Sequence, residues 1–292
     1  MDTKRKRRWL SLALLSASIS ACADLQPAKG STFFDLARTG SPRDVQAAIA
    51  GGADIEARDR EGTTPLMIAA EGNPSPEVTA VLLKAGADLT ARDIFLRSPV
   101  LYAAKNRNPE VMTALLKAGA DVNDRDKDGW TPLMLCAGDA DPNPKMIAAL
   151  LAAGASVDSG NKDGDSPLII AAGIPSPGII DALLKAGARV NARNIRGVTP
   201  LMHAASSNPN LEVLDLLIRA GAEVNGRNYY YVTPLIYAVT NNGNPHVIER
   251  LLKAGADPKT RDYDGLTALD YAKTSENLVG TSAYRMLLDA SK

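Results

Sequence analysis

The segment from Asp124 to Gly129 places three aspartates at alternate positions, a spacing that could coordinate calcium. Asp124, Asp126, Asp128 and Gly129 reproduce the opening of an EF-hand loop, in which carboxylate oxygens bind Ca²⁺. The twelfth position of such a loop requires a bidentate glutamate, and Leu135 occupies it here. We therefore expect a structural role for this segment and predict no metal or other cofactor.

The other residues that could perform chemistry are few and dispersed. His203 and His246 are the only histidines, and their positions predict ordinary helix residues rather than a ligand cluster. Cys136 is expected to be buried and unreactive. The chain has no glycine-rich phosphate loop, no G-x-S-x-G and no H-E-x-x-H. Because an active site must be argued from specific groups, the sequence favours a non-enzymatic function.

The N-terminal segment is typical of an export signal. Five basic residues precede the apolar stretch WLSLALLSASISA, which has the length of a signal-peptide core and is too short to span a bilayer well. The sequence ISAC, which ends at Cys22, resembles a bacterial lipobox. That resemblance predicts a signal peptide over residues 1–21 and a lipidated Cys22 with a tether over residues 22–30. The sequence ACA around Cys22 also satisfies the A-x-A rule for ordinary secretory cleavage, so this alternative stays open.

The distribution of charge argues against nucleic acid as a partner. Of 33 basic and 33 acidic residues, five basic and one acidic lie within residues 1–21. The body of the chain is therefore mildly acidic, and we do not expect it to neutralise a phosphate backbone.

The body repeats with a period near 33 residues. A Gly-Ala pair recurs, with its glycines at Gly52, Gly86, Gly119, Gly154, Gly187, Gly221 and Gly255. Thirteen residues after each of the first six glycines stands the proline of a Ser-Pro or Thr-Pro pair, and Ala268 takes the seventh place; the prolines are Pro65, Pro99, Pro132, Pro167, Pro200 and Pro234. A repeat of this length indicates a stacked array.

Each unit is predicted to contain two short helices. Ser or Thr before Pro supplies an N-cap and a proline at the first helical position, and an alanine-rich stretch such as PLMIAA follows. A second proline, such as Pro76 or Pro109, begins a helix with apolar residues at i, i+3 and i+4. This helix ends at the glycine of the Gly-Ala pair, which suits a left-handed cap. The link of constant length between units must be geometrically constrained.

These motifs resemble ankyrin repeats over about residues 31 to 290, through DREGTTPLMIAA, DKDGWTPLMLCA, NIRGVTPLMHAA and the KAGADVN endings. The resemblance implies an all-α repeat solenoid, in which helix–turn–helix units are linked by β-hairpin fingers. It places an N-terminal capping repeat at 31–58, six repeats at 59–261 and a C-terminal capping repeat at 262–292. The family's histidine after Thr-Pro-Leu is replaced by Met67, Leu101, Met134, Ile169, Met202 and Ile236. This departure affects the histidine–threonine hydrogen bond of the family, though not the fold.

Every link carries Asp or Asn at the same position, namely Asp59, Asp93, Asp126, Asn161, Asn194, Asn228 and Asp262. A turn role for these side chains explains all seven without a ligand. The two residues that follow form the fingertip, and a glycine comes next in most links. Leu96 and Tyr231 replace that glycine, so these two tips must turn differently or strain a non-glycine residue.

Aromatic residues make up only 4% of the chain, yet they concentrate at the fingers, as Phe95, Trp130, Tyr229, Tyr230, Tyr231 and Tyr263. Large rings at exposed turns are predicted to anchor a protein partner. Packing between neighbouring fingers is the alternative. Tyr229, Tyr230 and Tyr263 are expected to form one patch. Stacking on bases is disfavoured because the basic groove it requires is missing.

Together these features predict a monomeric, non-enzymatic lipoprotein of the bacterial cell envelope, anchored through Cys22 and facing the periplasm. The resemblance implies that its fingers and first helices line a concave face that recognises a protein partner, whose identity the sequence does not reveal. A second hypothesis is an exported, unlipidated immunity or accessory protein, soluble in the periplasm, that covers an envelope enzyme or toxin. A third is an enzyme with an unrecognised site, built from carboxylate pairs across repeats.

Overall fold

The computed structural model describes residues 32–292, so the predicted signal peptide, Cys22 and the tether lie outside the described residues. Eight pairs of helices follow one another along this range. The first helices of the pairs are α1 (Thr32–Thr39), α3 (Pro65–Gly72), α5 (Pro99–Ala103), α7 (Pro132–Ala137), α9 (Pro167–Ala172), α11 (Pro200–Ser207), α13 (Pro234–Tyr237) and α15 (Ala268–Ala272). The second helices are α2 (Pro42–Ala50), α4 (Pro76–Lys84), α6 (Pro109–Lys117), α8 (Pro144–Ala152), α10 (Pro177–Lys185), α12 (Leu211–Arg219), α14 (Pro245–Lys253) and α16 (Ser282–Ala290).

The helices form two layers, because each first helix packs on the first helix of the next unit and each second helix on the next second helix. This arrangement confirms the predicted repeat solenoid. Both layers contribute to one continuous core, for example through Leu66 of α3 and Leu82 of α4, both fully buried. Within residues 32–292, none of the helices combines the length and apolar character needed to cross a membrane.

The first helices begin as their Ser-Pro and Thr-Pro pairs predict. In α7, for example, the Thr131 hydroxyl accepts a hydrogen bond from the N–H of Met134 at 3.3 Å. The residues at the position of Met134 are almost fully buried in all six units, so apolar packing occupies the place of the family's histidine. Ser98 is an exception among the caps, because its hydroxyl hydrogen-bonds to the carboxylate of Asp124 in the next link instead.

Seven of the eight second helices described end at glycines with positive φ, as predicted, whereas the C-cap of α16 is Ser291. Gly86 and Gly119 have φ of 98° and 99°, and the N–H of Ala87 closes the end of α4 by donating to Leu82 O at 3.0 Å. A side chain is disfavoured in this left-handed conformation, which explains why glycine recurs here.

Four asparagines bridge consecutive first helices. Asn106, which is 6% exposed, donates from Nδ2 to Ala70 O at 2.9 Å and to Asn73 O at 2.8 Å. Asn73, Asn208 and Asn242 make corresponding pairs of bonds to the preceding unit. These amides satisfy carbonyl groups that a helix end leaves without an intrahelical partner. Asp139 and Ile174 occupy the corresponding positions in the two central units, and neither side chain can donate such bonds.

The links between units are tight turns rather than paired strands. Within residues 32–292 the only β-pairing is one isolated bridge between Arg261 and Thr267. The two arms of each turn share a backbone bond across five residues, such as Asp93 N–H to Arg97 O at 3.1 Å. The predicted β-hairpin fingers are therefore present as hairpin turns, and their arms are too short to form ladders of their own.

Candidate functional site

The seven turns, called here fingers 1 to 7, have one internal architecture. They comprise residues 59–63, 93–97, 126–130, 161–165, 194–198, 228–232 and 262–266. In each, Oδ1 of the leading Asp or Asn accepts the N–H groups two and four residues later, at 2.8 to 3.0 Å. This confirms the turn role that the sequence predicts for these side chains.

The segment that resembles the start of a calcium loop is occupied by protein contacts. Asp124 is buried, with one oxygen 2.6 Å from Arg92 Nη2 and the other bonded to the Ser98 hydroxyl. Asp126 uses Oδ1 within the turn of finger 3. Across residues 32–292, no three His, Cys, Asp or Glu side chains stand close enough to hold a metal ion.

A backbone ladder joins the fingertips into one row. The N–H of the first tip residue of each finger from 2 to 7 donates to the carbonyl of the second tip residue of the preceding finger, at 2.8 to 3.2 Å. Tyr263 N–H, for example, donates to Tyr230 O at 3.0 Å. Neighbouring tips are thus held in fixed register along the array.

Most of the large apolar side chains exposed within residues 33–292 lie on this row. Seven of nine belong to the fingers, namely Ile94, Leu96, Ile195, Tyr229, Tyr230, Tyr231 and Tyr263. The most exposed are Tyr229 and Tyr263, at 66% and 76%. Exposed apolar residues that cluster in this way mark interaction surfaces. Ile94, Leu96 and Ile195 were not among the partner-binding residues predicted from the sequence, because aromatic rings were the signal for that surface and these side chains are aliphatic.

The two fingers that lack glycine keep the same turn, which holds a non-glycine residue in a strained backbone conformation. Leu96 has φ of 60° and Tyr231 has φ of 59°, close to the 81° of Gly129 in finger 3. A non-glycine residue in this left-handed region costs about 1–2 kcal/mol. Both side chains are 51% exposed, so burial does not offset that cost. Backbone strain at an exposed apolar residue supports a functional hypothesis for these two tips.

The six aromatic candidates fall into two groups. Phe95 and Trp130 are half-buried, whereas the four tyrosines are exposed. The Phe95 ring lies between two cations, with Arg97 Cζ at 4.7 Å and Lys127 Nζ at 4.5 Å from its centroid. Because Lys127 belongs to finger 3, Phe95 packs between fingers.

The exposed tyrosines include one that also touches a neighbour. A Cβ on Gly197 of finger 5 would lie 3.1 Å from Tyr229 Cδ1, so this ring rests against the preceding finger while most of it faces solvent.

Three tyrosines on first helices hydrogen-bond to the leading residues of fingers 2, 6 and 7. These tyrosines were not predicted as functional residues from the sequence. Tyr102 OH donates to Asp93 Oδ2 at 2.8 Å, and Tyr271 OH donates to Asp262 Oδ2 at 2.5 Å. In finger 6, Asn228 Nδ2 donates to Tyr237 OH at 3.0 Å. Burial raises the pKa of Tyr237 above its usual value, so its hydroxyl stays protonated. The signal was an Asp or Asn followed nine residues later by Tyr, which only these three units contain.

An arginine precedes the leading Asp or Asn in six of the seven fingers. Arg58, Arg92, Arg125, Arg193 and Arg261 each donate from Nη1 to the carbonyl four residues later, at 2.6 to 3.4 Å. The guanidinium of Arg227, which precedes finger 6, is exposed and makes no hydrogen bond or ion pair with the residues that the structure describes.

The links also divide by charge. The first four, at 54–63, 88–97, 121–130 and 156–165, contain seven basic and thirteen acidic residues. The last three, at 189–198, 223–232 and 257–266, contain six basic and four acidic residues. The mildly acidic body thus presents a row of acidic links followed by mildly basic ones.

Other groups that could perform chemistry do not converge within the described range. Burial raises the pKa of the Cys136 thiol, which keeps it protonated and unreactive. His203 Nδ1 contacts Ile169 O at 2.5 Å, and His246 lies on a different helix. An open groove of about 580 Å³ lies between the fourth and fifth links, where Arg189 pairs with Asp158 at 3.1 Å.

Two comparisons relate this chain to known proteins. A family model described as ankyrin repeats (3 copies) matches overlapping segments at residues 33–126, 77–159, 100–194, 133–228, 173–262 and 201–291. The mitochondrial disaggregase of Bos taurus is 38% identical over 96 residues, which cover 32% of this chain and 14% of that protein. The mitochondrial disaggregase of Homo sapiens is 36% identical over 96 residues and is covered over 13% of its length. The chain therefore spans only a small part of these relatives.

Proposed function

The chain belongs to the ankyrin-repeat family, and we propose that it is a non-enzymatic module that binds a protein partner through its fingers and concave face. The observation that carries this proposal is the row of exposed apolar side chains on the fingertips. The backbone of the fingertips is fixed by Asx turns and by the backbone ladder between fingers. Binding therefore requires little additional ordering of this protein. The similarity to mitochondrial disaggregases covers too little of those proteins for us to carry over a disaggregase activity.

We place this module in the bacterial cell envelope, anchored by a lipid on Cys22. The basic leader, the apolar stretch and the lipobox-like ISAC sequence support this location. A tether of eight residues from Ala23 to Gly30 spans at most about 29 Å, so the array would work close to the bilayer. The alternative is an exported, unlipidated immunity or accessory protein, which the A-x-A match around Cys22 favours.

Site-specific photo-crosslinking tests the binding surface. We expect a photoreactive residue at Tyr263 to capture one dominant protein in intact cells, whereas the same residue at Glu110 captures none. Glu110 is exposed on the second-helix layer, so it controls for exposure alone. Capture at Glu110 and not at Tyr263 would place the interface elsewhere.

The anchor is tested by replacing Cys22 with alanine. We expect the wild-type protein to partition with membranes and the Cys22→Ala variant to stay in the aqueous phase, since the lipid is the only anchor proposed. Membrane fractionation measures the partition, and intact-mass analysis identifies the N-terminus. A mature chain that begins at an unmodified Asp24 would show A-x-A cleavage and favour the unlipidated alternative.

A further inference from the structure

We propose that fingers 5 to 7 bind an acidic segment of the partner that carries apolar side chains, an inference that rests on the proposed protein-binding function. The C-terminal fingertip surface, as we call it, consists of Ile195, Arg227, Tyr229, Tyr230, Tyr231 and Tyr263. It is the part of the row where consecutive fingers all present exposed apolar tips.

The apolar part of this surface is continuous. The first tip residues of fingers 5, 6 and 7 are Ile195, Tyr229 and Tyr263, which are 61%, 66% and 76% exposed. In fingers 1, 3 and 4 the same position holds Arg60, Lys127 and Lys162. Among the described fingers, only the C-terminal three therefore have apolar side chains at the first tip position of adjacent fingers; their second tip residues are Arg196, Tyr230 and Asp264.

The spacing of these tips predicts the spacing of the ligand. Packed helices lie roughly 8–10 Å apart, so three successive tips span roughly 16–20 Å. A peptide in the polyproline II conformation advances about 3.1 Å per residue, and about five or six residues would cover that length. This conformation has three residues per turn, so apolar side chains three residues apart lie about 9 Å apart on one side and would meet successive tips.

The surface is rigid before it binds. Asn228 is tied to Tyr237 at 3.0 Å and Asp262 to Tyr271 at 2.5 Å, so first helices hold fingers 6 and 7. Tyr231 keeps its strained φ of 59° where glycine serves in five other fingers. Strain at an exposed residue supports a functional hypothesis for the Tyr231 side chain.

Arg227 supplies the charge that selects an acidic ligand. Five equivalent arginines are used within their own turns, whereas the Arg227 guanidinium makes no hydrogen bond or ion pair among the described residues. Guanidinium binds a carboxylate in a bidentate geometry that few other groups match. The link at 189–198, which contains three basic residues and no acidic one, adds a long-range preference for an acidic segment.

A protein segment fits this surface better than an anionic membrane does. Membrane recognition by charge uses clusters of roughly four to eight lysines and arginines. Here Arg193 is bonded to Gly197 O and paired with Glu223 at 3.2 Å, and Arg261 is bonded to Gly265 O. The Arg227 guanidinium beside a set of rings, with Arg196 as the other basic side chain at these tips, falls short of such a cluster and suits a carboxylate on a specific chain.

The inference can be tested on the whole purified protein by selection from a displayed library of random peptides. Peptides of roughly twelve residues span the three tips with additional residues on both sides. We expect the selected peptides to be enriched in Asp and Glu and to carry apolar residues about three positions apart, the period of a polyproline II helix. Their affinity, measured by fluorescence anisotropy, should fall on the order of tenfold or more in Arg227→Glu. Arg60→Glu, with the same charge change on the exposed tip of finger 1, should bind the peptides as the wild type does.

Each other outcome overturns the inference in a recognisable way. Selected peptides without acidic enrichment that still lose affinity in Tyr229→Ala/Tyr230→Ala would keep the surface and the protein-binding function while removing the acidic ligand. Peptides bound equally by all variants would place the binding site elsewhere on the array. Binding of phosphatidylglycerol vesicles that Arg227→Glu abolishes, with no peptide selected, would identify a membrane surface.

Discussion

Fingers 2 and 6 share a backbone and differ in what surrounds it. Both carry a non-glycine residue at positive φ, both are braced by a first-helix tyrosine, and both have apolar tips. In finger 2, Arg97 covers Phe95, and its Nε lies 2.6 Å from Asp93 Oδ2. The equivalent residue in finger 6 is the buried Val232, and Tyr229, Tyr230 and Tyr231 are 66%, 51% and 51% exposed. The residue at the end of the turn thus contributes to whether a ring is packed or exposed.

The largest expected difference between the two fingers is in stability. Asp93→Ala should lower the free energy of unfolding by about 3 kcal/mol. The substitution leaves the partly buried Arg97 without its ion-pair partner and removes the acceptor of four hydrogen bonds. Asn228→Ala removes neutral bonds only and should cost about 1–2 kcal/mol. Urea unfolding measures both, and Asp93→Asn, which can keep the turn, should fall between them. Equal losses in the two fingers would show that the ion pair adds nothing.

The next largest effect concerns binding. Tyr229→Ala/Tyr230→Ala should weaken the partner complex by about 2 kcal/mol or more, as truncation of buried aromatic anchors does. The melting temperature should barely move, because exposed turn positions usually change stability by less than about 0.5 kcal/mol. Affinity and thermal unfolding are measured on the same samples. If the melting temperature falls, and binding weakens only in proportion to the loss of folded protein, these rings pack between fingers.

Phe95→Ala is the matched change in finger 2 and should behave in the opposite way. It removes two cation–π contacts and half-buried area, so we expect a loss of about 1 kcal/mol in the free energy of unfolding. Partner affinity should change little once the folded fraction is taken into account. A loss of affinity without a loss of stability would move the interface towards the N-terminal fingers, including Trp130.

The smallest effect comes from the strained turns themselves. Leu96→Gly and Tyr231→Gly should each stabilise the fold by about 0.5 kcal/mol, since relief of left-handed strain slightly exceeds the backbone entropy cost of glycine. Gly265→Ala, at φ of 76° with open space around its Cβ, is the reverse control and should destabilise. Thermal unfolding measures all three. Only Tyr231→Gly should also weaken partner binding; an equal loss in Leu96→Gly would erase the distinction between the fingers.

Much of the fold could be predicted because its determinants are local. An N-cap, a proline at the first helical position, a glycine at a helix end and an Asx turn each depend on residues within about one turn of chain. These signals recur in register, so even the two turns without glycine could be placed. Ser98 departs from its predicted cap because Asp124, from the next link, competes for its hydroxyl.

The candidate surface could be predicted only in part, because exposure depends on contacts between units. Phe95 and Tyr230 occupy the same fingertip position, and no sequence pattern separates the covered ring from the exposed one without Arg97 and Lys127 in place. Arg227 likewise could not be distinguished from the sequence, which has six equivalent arginines. Only the structure shows that the other five hydrogen-bond to their own turns whereas the Arg227 guanidinium does not.

The asparagine bridges between first helices affect where the array unfolds under a pulling force. A solenoid of this kind is coupled only through nearest neighbours, so it ruptures at its weakest junction. The amide bridges are present at Asn73, Asn106, Asn208 and Asn242 and are absent at the central positions Asp139 and Ile174. A molecule pulled from its two ends is expected to part first in the middle. The two junctions without a bridge lie on either side of α7, so the array would separate there into two mechanical parts.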